Sequence, residues 1–393
     1  MAKPTLRTKL CDILGIEYPV VLAGMGGVAR HRLVAAVSDA GGLGIIGAAT
    51  MGPGELREEI RKVRELTDKP FGVDILLPTM GTIPQNPGAA MGPDRIGEGE
   101  GDIPKNWRDM LPATQRDFAA DLRRKFDLPD EQPEYPTPSG RREGAIFGPG
   151  FTRSQIDTIL AEKVPVFASG LGNPAPYVEE FHAAGVKVIA LVGNVKNARR
   201  VAEGGTDVVV AQGAEAGGHT GRVGTMALVP QVVDAVAPRP VLAAGGIGDG
   251  RGLAAALCLG ALGAWVGTAF LVSKEAAWDD ILKQRILDAT EEDTRVTRIY
   301  SGKPMRNINN PLIEAWEESG VPTLPFPFQG AVIQEVTFAA QKAGRKELGM
   351  NPAGQVSGML NEQRPAREIL HQMVEQAAEI IQRLPADVPA VTS

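Results

Sequence analysis

The sequence has few of the residues that build metal sites or disulfide frameworks, and its basic residues do not form the blocks typical of nucleic-acid surfaces. Its 393 residues include two cysteines and four histidines. Cys11 and Cys258 lie far apart without metal-like spacing, which favours reduced, buried thiols and predicts no metal. The formal net charge is −6, and no basic block is present, so nucleic acid and anionic membranes are unfavourable partners. Small-molecule chemistry remains.

Apolar leaders and long apolar runs are also scarce. The first residues, MAKPTLRTKL, carry charges where a secretory signal has an apolar core, so we expect a cytoplasmic protein. Residues 252–272 run without a charge over about the length that spans a bilayer. They are rich in glycine and alanine and divide into a helix, a turn and a strand. We therefore expect a buried helix and strand there, and no membrane span.

Short apolar runs bounded by turn residues are plentiful. Helical patterns intervene, and the runs are nearly continuously apolar, which is typical of parallel strands covered on both faces. Eight strand–helix units predict an α/β fold, a (β/α)8 TIM barrel. A doubly wound parallel sheet has the same periodicity and is the alternative. The runs span residues 19–24, 42–47, 70–78, 164–170, 186–193, 207–213, 240–246 and 263–270.

Two segments depart from this regularity within the predicted barrel and after it. Residues 78–150 hold eleven of the thirty prolines and predict a long insertion after the third strand, either a surface loop or a lid. The barrel then extends over residues 1–274. Residues 275–354 predict a small helical subdomain, and residues 355–393 predict a C-terminal helix that packs back on the barrel.

Glycine-rich sequence follows the last two predicted strands, where TIM barrels commonly bind a phosphate. Gly245, Gly246 and Gly248 follow the seventh strand, and Gly267 and Thr268 follow the eighth. Backbone N–H groups at helix starts suit a phosphate monoester. The nearest approach to a dinucleotide fingerprint, SGLGNPAP, lacks the third glycine. The pattern favours a mononucleotide such as FMN, or a phosphorylated substrate.

His219 is the histidine whose surroundings most favour catalysis. It follows the sixth predicted strand in AQGAEAGGHTG, where glycines let the backbone approach a ligand closely. No apolar face awaits the imidazole there, although it could merely cap the glycine turn. His31, His182 and His371 fall in helical patterns and are expected to be structural.

Three further charged residues have alternative interpretations. Glu215 is a second acid, a residue that orients His219, or a residue that stabilises the turn. Arg306 pairs either with an anionic substrate or with the rim of the barrel. Asp249 is expected to cap the helix that begins at Gly250.

Several segments together resemble the FMN-dependent nitronate monooxygenases, formerly called 2-nitropropane dioxygenases. They include YPVVLAGMGG, KPFGVDILLP, AQGAEAGGHTG, VLAAGGIGDG and SGKPMRNINN. The resemblance implies a TIM barrel with a helical subdomain, non-covalent FMN, and oxidation of an alkyl nitronate by O2 to a carbonyl compound and nitrite. It implies that His219 is catalytic. The implied flavin contacts are Ala23, Gly24, Met25, Asp74, Gln212, Gly217, Gly218, Gly245, Gly246, Gly267 and Thr268.

The chain departs from this family pattern in two places. Asp74 stands where many members have asparagine, and an ionised carboxylate there could accept but not donate a hydrogen bond to the flavin. The long insertion leaves the substrate open. One alternative is an FMN-dependent NAD(P)H reductase of quinones or of enoyl or CoA thioesters; another is a phosphate-binding barrel without flavin chemistry. The expected partners are a small substrate with O2 or NAD(P)H, and a second copy in a possible homodimer.

Overall fold

The computed structural model describes residues 5–77, 111–130, 149–326 and 328–387. Eight parallel strands form one sheet in the order β1-β9-β8-β6-β5-β4-β3-β2. A parallel bridge between Val21 and Leu43 joins its two edges, so the sheet closes into a barrel. The predicted (β/α)8 fold and its eight strands are confirmed. The strands are β1 Val20–Leu22, β2 Gly44–Gly47, β3 Phe71–Leu76, β4 Val166–Leu171, β5 Lys187–Val192, β6 Val208–Gln212, β8 Val241–Ala244 and β9 Ala264–Val266.

Helices connect the barrel strands, as parallel crossovers require. The helix pattern expected after β1 is confirmed as His31–Asp39, and the one after β2 as Pro53–Leu66. The helices of the chain up to β9 are α1 Lys9–Leu14, α2 His31–Asp39, α3 Pro53–Leu66, α4 Ala113–Lys125, α5 Pro149–Ala161, α6 Ala175–Ala183, α7 Val195–Glu203, α8 Thr225–Val236 and α9 Gly250–Cys258.

Apolar side chains cover the strands on both faces, which explains their continuous apolar runs. The smaller cluster combines strand residues such as Ile45, Val210 and Trp265 with Leu10 and Cys11 of α1. The larger cluster packs the opposite strand faces against the surrounding helices. Burying this apolar surface is the main stabilising contribution to the fold.

The uncharged segment 252–272 forms the end of α9, a turn, β9 and the short helix α10 Thr268–Leu271. The expected helix and strand are therefore confirmed. None of the described helices combines the length and the apolar character needed to cross a bilayer. Cys11 is buried, but Cys258 is exposed; the expectation of a buried thiol was wrong there because Cys258 lies outside the buried stripe of α9.

A second structural layer follows the barrel strands. It contains α11 Asp280–Leu287, β10 Thr294–Thr297, β11 Met305–Ile308, α12 Pro311–Ser319 and α13 Phe328–Lys342, and two 3-10 turns, Lys346–Leu348 and Gln355–Met359. It shares its apolar core with α4, where Phe118 contacts Trp316 edge to face at a centroid distance of 5.2 Å. The predicted insertion thus contributes a helix to this core. The rest of the predicted lid, residues 78–110 and 131–148, lies outside the described residues.

The last helix, α14 Ala366–Asp387, packs on α9 and α2. Gly250 makes this approach possible, because a Cβ there would lie 2.5 Å from backbone atoms of Met373 and Ala377. The Gly250 N–H also donates to Gln376 Oε1 at 2.8 Å. The C-terminal segment is therefore fastened to the beginning of α9.

Candidate active site

The loop that carries His219 is held by a hairpin that the sequence did not predict. After β6, the chain forms a two-residue strand, β7 Gly218–His219, which pairs antiparallel with β11 so that Met305 lies opposite His219. Strand β10 completes this three-stranded sheet. Gly218 has φ +74°, which favours glycine. His219 is therefore fixed by backbone pairing.

The imidazole and main chain of His219 both have partners. Its Nε2 lies 2.9 Å from Ser301 Oγ, and its carbonyl oxygen accepts a hydrogen bond from Gln212 Nε2 at 2.7 Å. Ser301 Oγ also accepts the N–H of Lys303 at 3.2 Å and lies 3.4 Å from the Lys303 carbonyl. These contacts connect the end of β6 to the segment before β11.

His219 is neutral around pH 7. Burial, and secondarily the charge of Lys303, lower its pKa to about 4. Burial also lowers the pKa of Lys303, whose Nζ lies 4.8 Å from the centroid of the Phe326 ring. Desolvation disfavours both cations, so the imidazole is unprotonated at neutral pH and one ring nitrogen keeps a free lone pair.

Asp74 is the buried acid of the barrel strands. It is 5% exposed, and its Oδ1 accepts a hydrogen bond from the Gly170 N–H at 2.7 Å. Burial raises its pKa well above the usual range, against the opposing effect of this hydrogen bond. A Cβ on Gly24 would lie 2.3 Å from Oδ2, so only glycine fits there. The burial of Asp74 therefore disfavours the ionised carboxylate considered from the sequence.

Glycines at the strand ends differ in how closely the protein packs against them. A Cβ on Gly245 would lie 2.9 Å from the Gly213 carbonyl oxygen, whereas one on Gly246 would meet nothing closer than 3.7 Å. A Cβ on Gly218 would have no neighbour within 4 Å, and one on Gly267 would lie 3.5 Å from Ala23 Cβ. Gly218, Gly246 and Gly267 therefore have room beside them that described protein atoms do not fill.

Residues 353–355 join two of these loops, the one after β6 and the one after β9. The Gly354 N–H donates to Thr268 Oγ1 at 2.9 Å, and the Gln355 N–H donates to the Glu215 carbonyl at 3.0 Å. Gly217 lies against Ala353, where a Cβ would come within 2.6 Å of the backbone. The ends of β6 and β9 therefore contact one segment from far along the chain.

Comparison of the sequence with known proteins shows which family it matches. The sequence model of the nitronate monooxygenase family matches residues 7–97 and 106–376. A Staphylococcus aureus protein named "Probable nitronate monooxygenase" is 34% identical over 388 residues, with 96% of this chain and 99% of that protein covered. Rv1533 of Mycobacterium tuberculosis is 38% identical over 392 residues, with 96% and 98% covered.

The chain belongs to the nitronate monooxygenase family. Two solved structures share its fold. Nitroalkane oxidase from Streptomyces ansochromogenes superposes with a TM-score of 0.75 at 28% identity and covers 95% of this chain and 99% of its own. FabK from Thermotoga maritima superposes with a TM-score of 0.73 at 32% identity and covers 98% and 100%. The chain is therefore an enzyme, an oxidoreductase of the flavin-dependent type.

Resemblance to the nitronate monooxygenases implies a set of flavin contacts. These residues all lie on one edge of the barrel. Asp74 lies within β3, Gln212 ends β6, and the others follow strands. Direct packing connects Gly24 with Asp74, and Gly267 with Ala23 and Met25. The remaining implied contacts are Gly217 and Gly218 in the loop after β6, Gly245 and Gly246 after β8, and Thr268 after β9.

The structure decides between the alternatives that the sequence left open for Glu215 and Arg306. Both carboxylate oxygens of Glu215 accept from the Thr225 N–H, at 2.9 and 3.0 Å, so Glu215 stabilises the start of α8. Arg306 donates to the Ala214 carbonyl at 2.9 Å and to Thr294 Oγ1 at 2.8 Å, which favours the rim. Asp249 Oδ1 accepts from the Arg251 N–H at 2.9 Å, and the expected cap is confirmed.

The other three histidines have structural contacts. His31 Nδ1 lies 2.9 Å from Glu59, His182 Nε2 lies 2.8 Å from Asp207, and His371 Nε2 lies 3.0 Å from the Ala40 carbonyl. No group of three or more His, Cys, Asp or Glu side chains able to hold a metal occurs among the described residues.

Sequence reasoning missed Ser301, Lys303 and the segment 353–355. Ser301 and Lys303 belong to SGKPMRNINN, which carried part of the family resemblance, but nothing in that motif indicates contact with a histidine about eighty residues earlier. The only available signal was the motif's recurrence in the family.

Proposed function

We propose that this chain is an FMN-dependent nitronate monooxygenase that oxidises alkyl nitronates with O2 to carbonyl compounds and nitrite, with His219 as its catalytic residue. The observation that carries the proposal is an imidazole held by Ser301 on a barrel edge with open glycines, where burial favours its neutral form. A base that is unprotonated around pH 7 suits removal of a proton beside a nitro group.

The residues present fit a flavin. Gly218, Gly246 and Gly267 leave room that a side chain would occupy, and Asp74 Oδ2 has no hydrogen-bond partner among the described residues. The backbone N–H groups of Gly245 and Gly246, and of Gly267 and Thr268, would hold the phosphate. Thr268 Oγ1 accepts the Gly354 N–H, so its hydroxyl proton is free to be donated. FMN, when bound, accepts electrons from the substrate and passes them to O2.

Ser301 determines which nitrogen of His219 serves as the base. Its hydroxyl oxygen accepts the Lys303 N–H, and its proton is directed to the Lys303 carbonyl. We propose that Ser301 Oγ accepts the His219 Nε2–H across the 2.9 Å contact between them. This tautomer would leave the lone pair on Nδ1.

His219 Nδ1 would take the proton from the carbon next to the nitro group. The C–H bond breaks, its electron pair moves into the nitro group, and a nitronate anion forms. The anion raises the pKa of the adjacent imidazole, so the resulting imidazolium stabilises it. A preformed nitronate needs no proton transfer, and His219 would then only orient the anion.

Anaerobic mixing tests the proposal against the reductase alternative. FMN-loaded protein is mixed in separate experiments with a nitronate and with NADH or NADPH, and the visible flavin absorbance is followed. We expect the nitronate to bleach the flavin and the nicotinamides to leave it unchanged on the same timescale. Bleaching by a nicotinamide alone would favour the reductase, whereas protein that takes up no FMN would favour the phosphate-binding barrel without flavin chemistry.

A further inference from the structure

Asp74 occupies an unusual position for an acid. It lies inside β3, opposite Gly47 of β2 and Ala168 of β4. Gly24 and Gly170 approach its carboxyl group from the ends of β1 and β4, since a Cβ on either glycine would come within 3 Å of a carboxyl oxygen. None of these four neighbours has an ionisable side chain, and no charged side chain of the described chain contributes to the shift in its pKa.

The hydrogen bonds available to Asp74 do not support a negative charge. Oδ1 accepts one hydrogen bond, from the Gly170 N–H, and Oδ2 has no donor or cation beside it among the described residues. A buried carboxylate needs several hydrogen bonds or a paired cation to offset its lost hydration. With a single neutral donor, the protonated form is the more stable one.

We propose that Asp74 is a neutral carboxylic acid in the folded protein and that its Oδ2 hydroxyl donates a hydrogen bond to a bound flavin. The identity of the acceptor, a nitrogen or carbonyl oxygen of the flavin ring, rests on the proposed function; the protonation state does not. Oδ1 accepts and Oδ2 donates, as the oxygen and nitrogen of an asparagine side chain do. Asp74 is then a positioning residue for the flavin.

Gly24 and Gly170 shape the surroundings of the Asp74 carboxyl group. A side chain at Gly24 would occupy the place of Oδ2, and one at Gly170 would lie 2.9 Å from it. The two glycines therefore let the backbone pack closely against the carboxyl group. This packing leaves Asp74 only 5% exposed, which favours the neutral acid, and the small Gly24 leaves Oδ2 without a covering side chain.

Infrared difference spectroscopy tests the protonation state without any flavin. We expect the flavin-free wild-type protein at neutral pH to show the C=O stretch of a protonated carboxylic acid, shifted in D2O and missing from the spectrum of Asp74→Asn. The band should persist in wild type as the pH is raised past the range where exposed carboxyls are ionised. If no such band distinguishes the two proteins at neutral pH, Asp74 is ionised and the proposal is wrong.

FMN binding to the apoprotein tests the donor role, with the dissociation constant measured by quenching of flavin fluorescence. Asp74→Asn keeps a neutral donor and should bind FMN within about twofold of wild type. Asp74→Ala removes the donor and should bind about five- to tenfold more weakly, as one hydrogen bond implies. Equal weakening by both substitutions would overturn the donor role. If wild type itself does not bind FMN, the proposed function fails, and the infrared result still decides the protonation state.

Discussion

Burial favours the neutral form of two titratable groups of the site, Asp74 and His219, which lie in structurally different regions. Asp74 lies in a barrel strand, β3, that pairs with β2 on one side and β4 on the other. His219 lies in a two-residue strand that depends on the β10–β11 hairpin. Burial is the largest influence on both pKa values, raising that of the acid and lowering that of the base. Desolvation therefore prepares both groups without an ion pair.

The difference between the regions lies in how adjustable each pKa is. The surroundings of Asp74 are backbone and small residues, so a change there disturbs the barrel itself. The surroundings of His219 include the side chains of Ser301 and Lys303, which can be replaced without altering a barrel strand. The barrel region supplies a fixed environment, and the hairpin region supplies a tunable one.

Removing the imidazole should have the largest effect. His219→Asn keeps polarity and approximate volume but removes the base, so oxidation of a neutral nitroalkane should slow by ~10²–10⁴-fold. Oxidation of the preformed nitronate should slow much less. Steady-state rates on both substrate forms measure this, and His182→Asn, which alters a histidine paired with Asp207, serves as the control. Equal losses on both forms would limit His219 to binding the anion.

A negative charge at the end of β9 should weaken the binding of FMN at the barrel. Gly267→Asp places a carboxylate where the FMN phosphate is proposed to bind, and affinity should fall at least tenfold, about 1.4 kcal/mol. Gly267→Ala is the matched control because its Cβ would be in ordinary contact with Ala23. Flavin content and the dissociation constant measure the effect. Full occupancy in the aspartate variant would contradict this phosphate position.

The pH dependence of stability should have opposite signs at the two groups. The folded-state pKa of His219, about 4, lies below its ordinary 6.5, so its contribution is complete above 6.5 and is lost as pH falls toward 4. This contribution is up to ~3 kcal/mol. The pKa of Asp74 is raised, so its contribution is present below the ordinary value and is lost as pH rises through the raised pKa.

Denaturant unfolding across this pH range checks both signs. His219→Asn should flatten the loss of stability on the acid side, and Asp74→Asn should flatten the loss on the alkaline side. Exchange of the two effects between the variants would contradict the protonation states assigned here.

The smallest change is expected from Lys303→Met. Removing the Lys303 ammonium removes the smaller of the two effects that lower the pKa of His219. That pKa should therefore rise from about 4 toward 6.5 while remaining below it. The acid limb of kcat/KM for a nitroalkane should move in the same direction. Lys274→Met, at a lysine outside the hairpin, is the control. An unmoved limb would leave burial as the only influence on this imidazole.

The barrel could be predicted from the sequence because its signals are local. Each strand carries its own apolar run and turn residues, as the segment DVVVAQG does for β6. The pairing of His219 with Met305 could not be predicted, since it joins residues far apart in sequence and β7 is only two residues long. The protonation state of Asp74 was equally hidden, because it depends on Gly24 and Gly170 from other strands.

Residues 353–355 determine when, during protein synthesis, the site can be completed. The chain emerges from the ribosome N-terminus first, so all eight barrel strands are available before Gly354 can reach Thr268 and Gln355 can reach Glu215. The loops after β6 and β9 therefore acquire their contacts with residues 353–355 only when nine-tenths of the chain has been made. A nascent barrel can form early, but these two loops reach their final geometry only when translation is nearly complete.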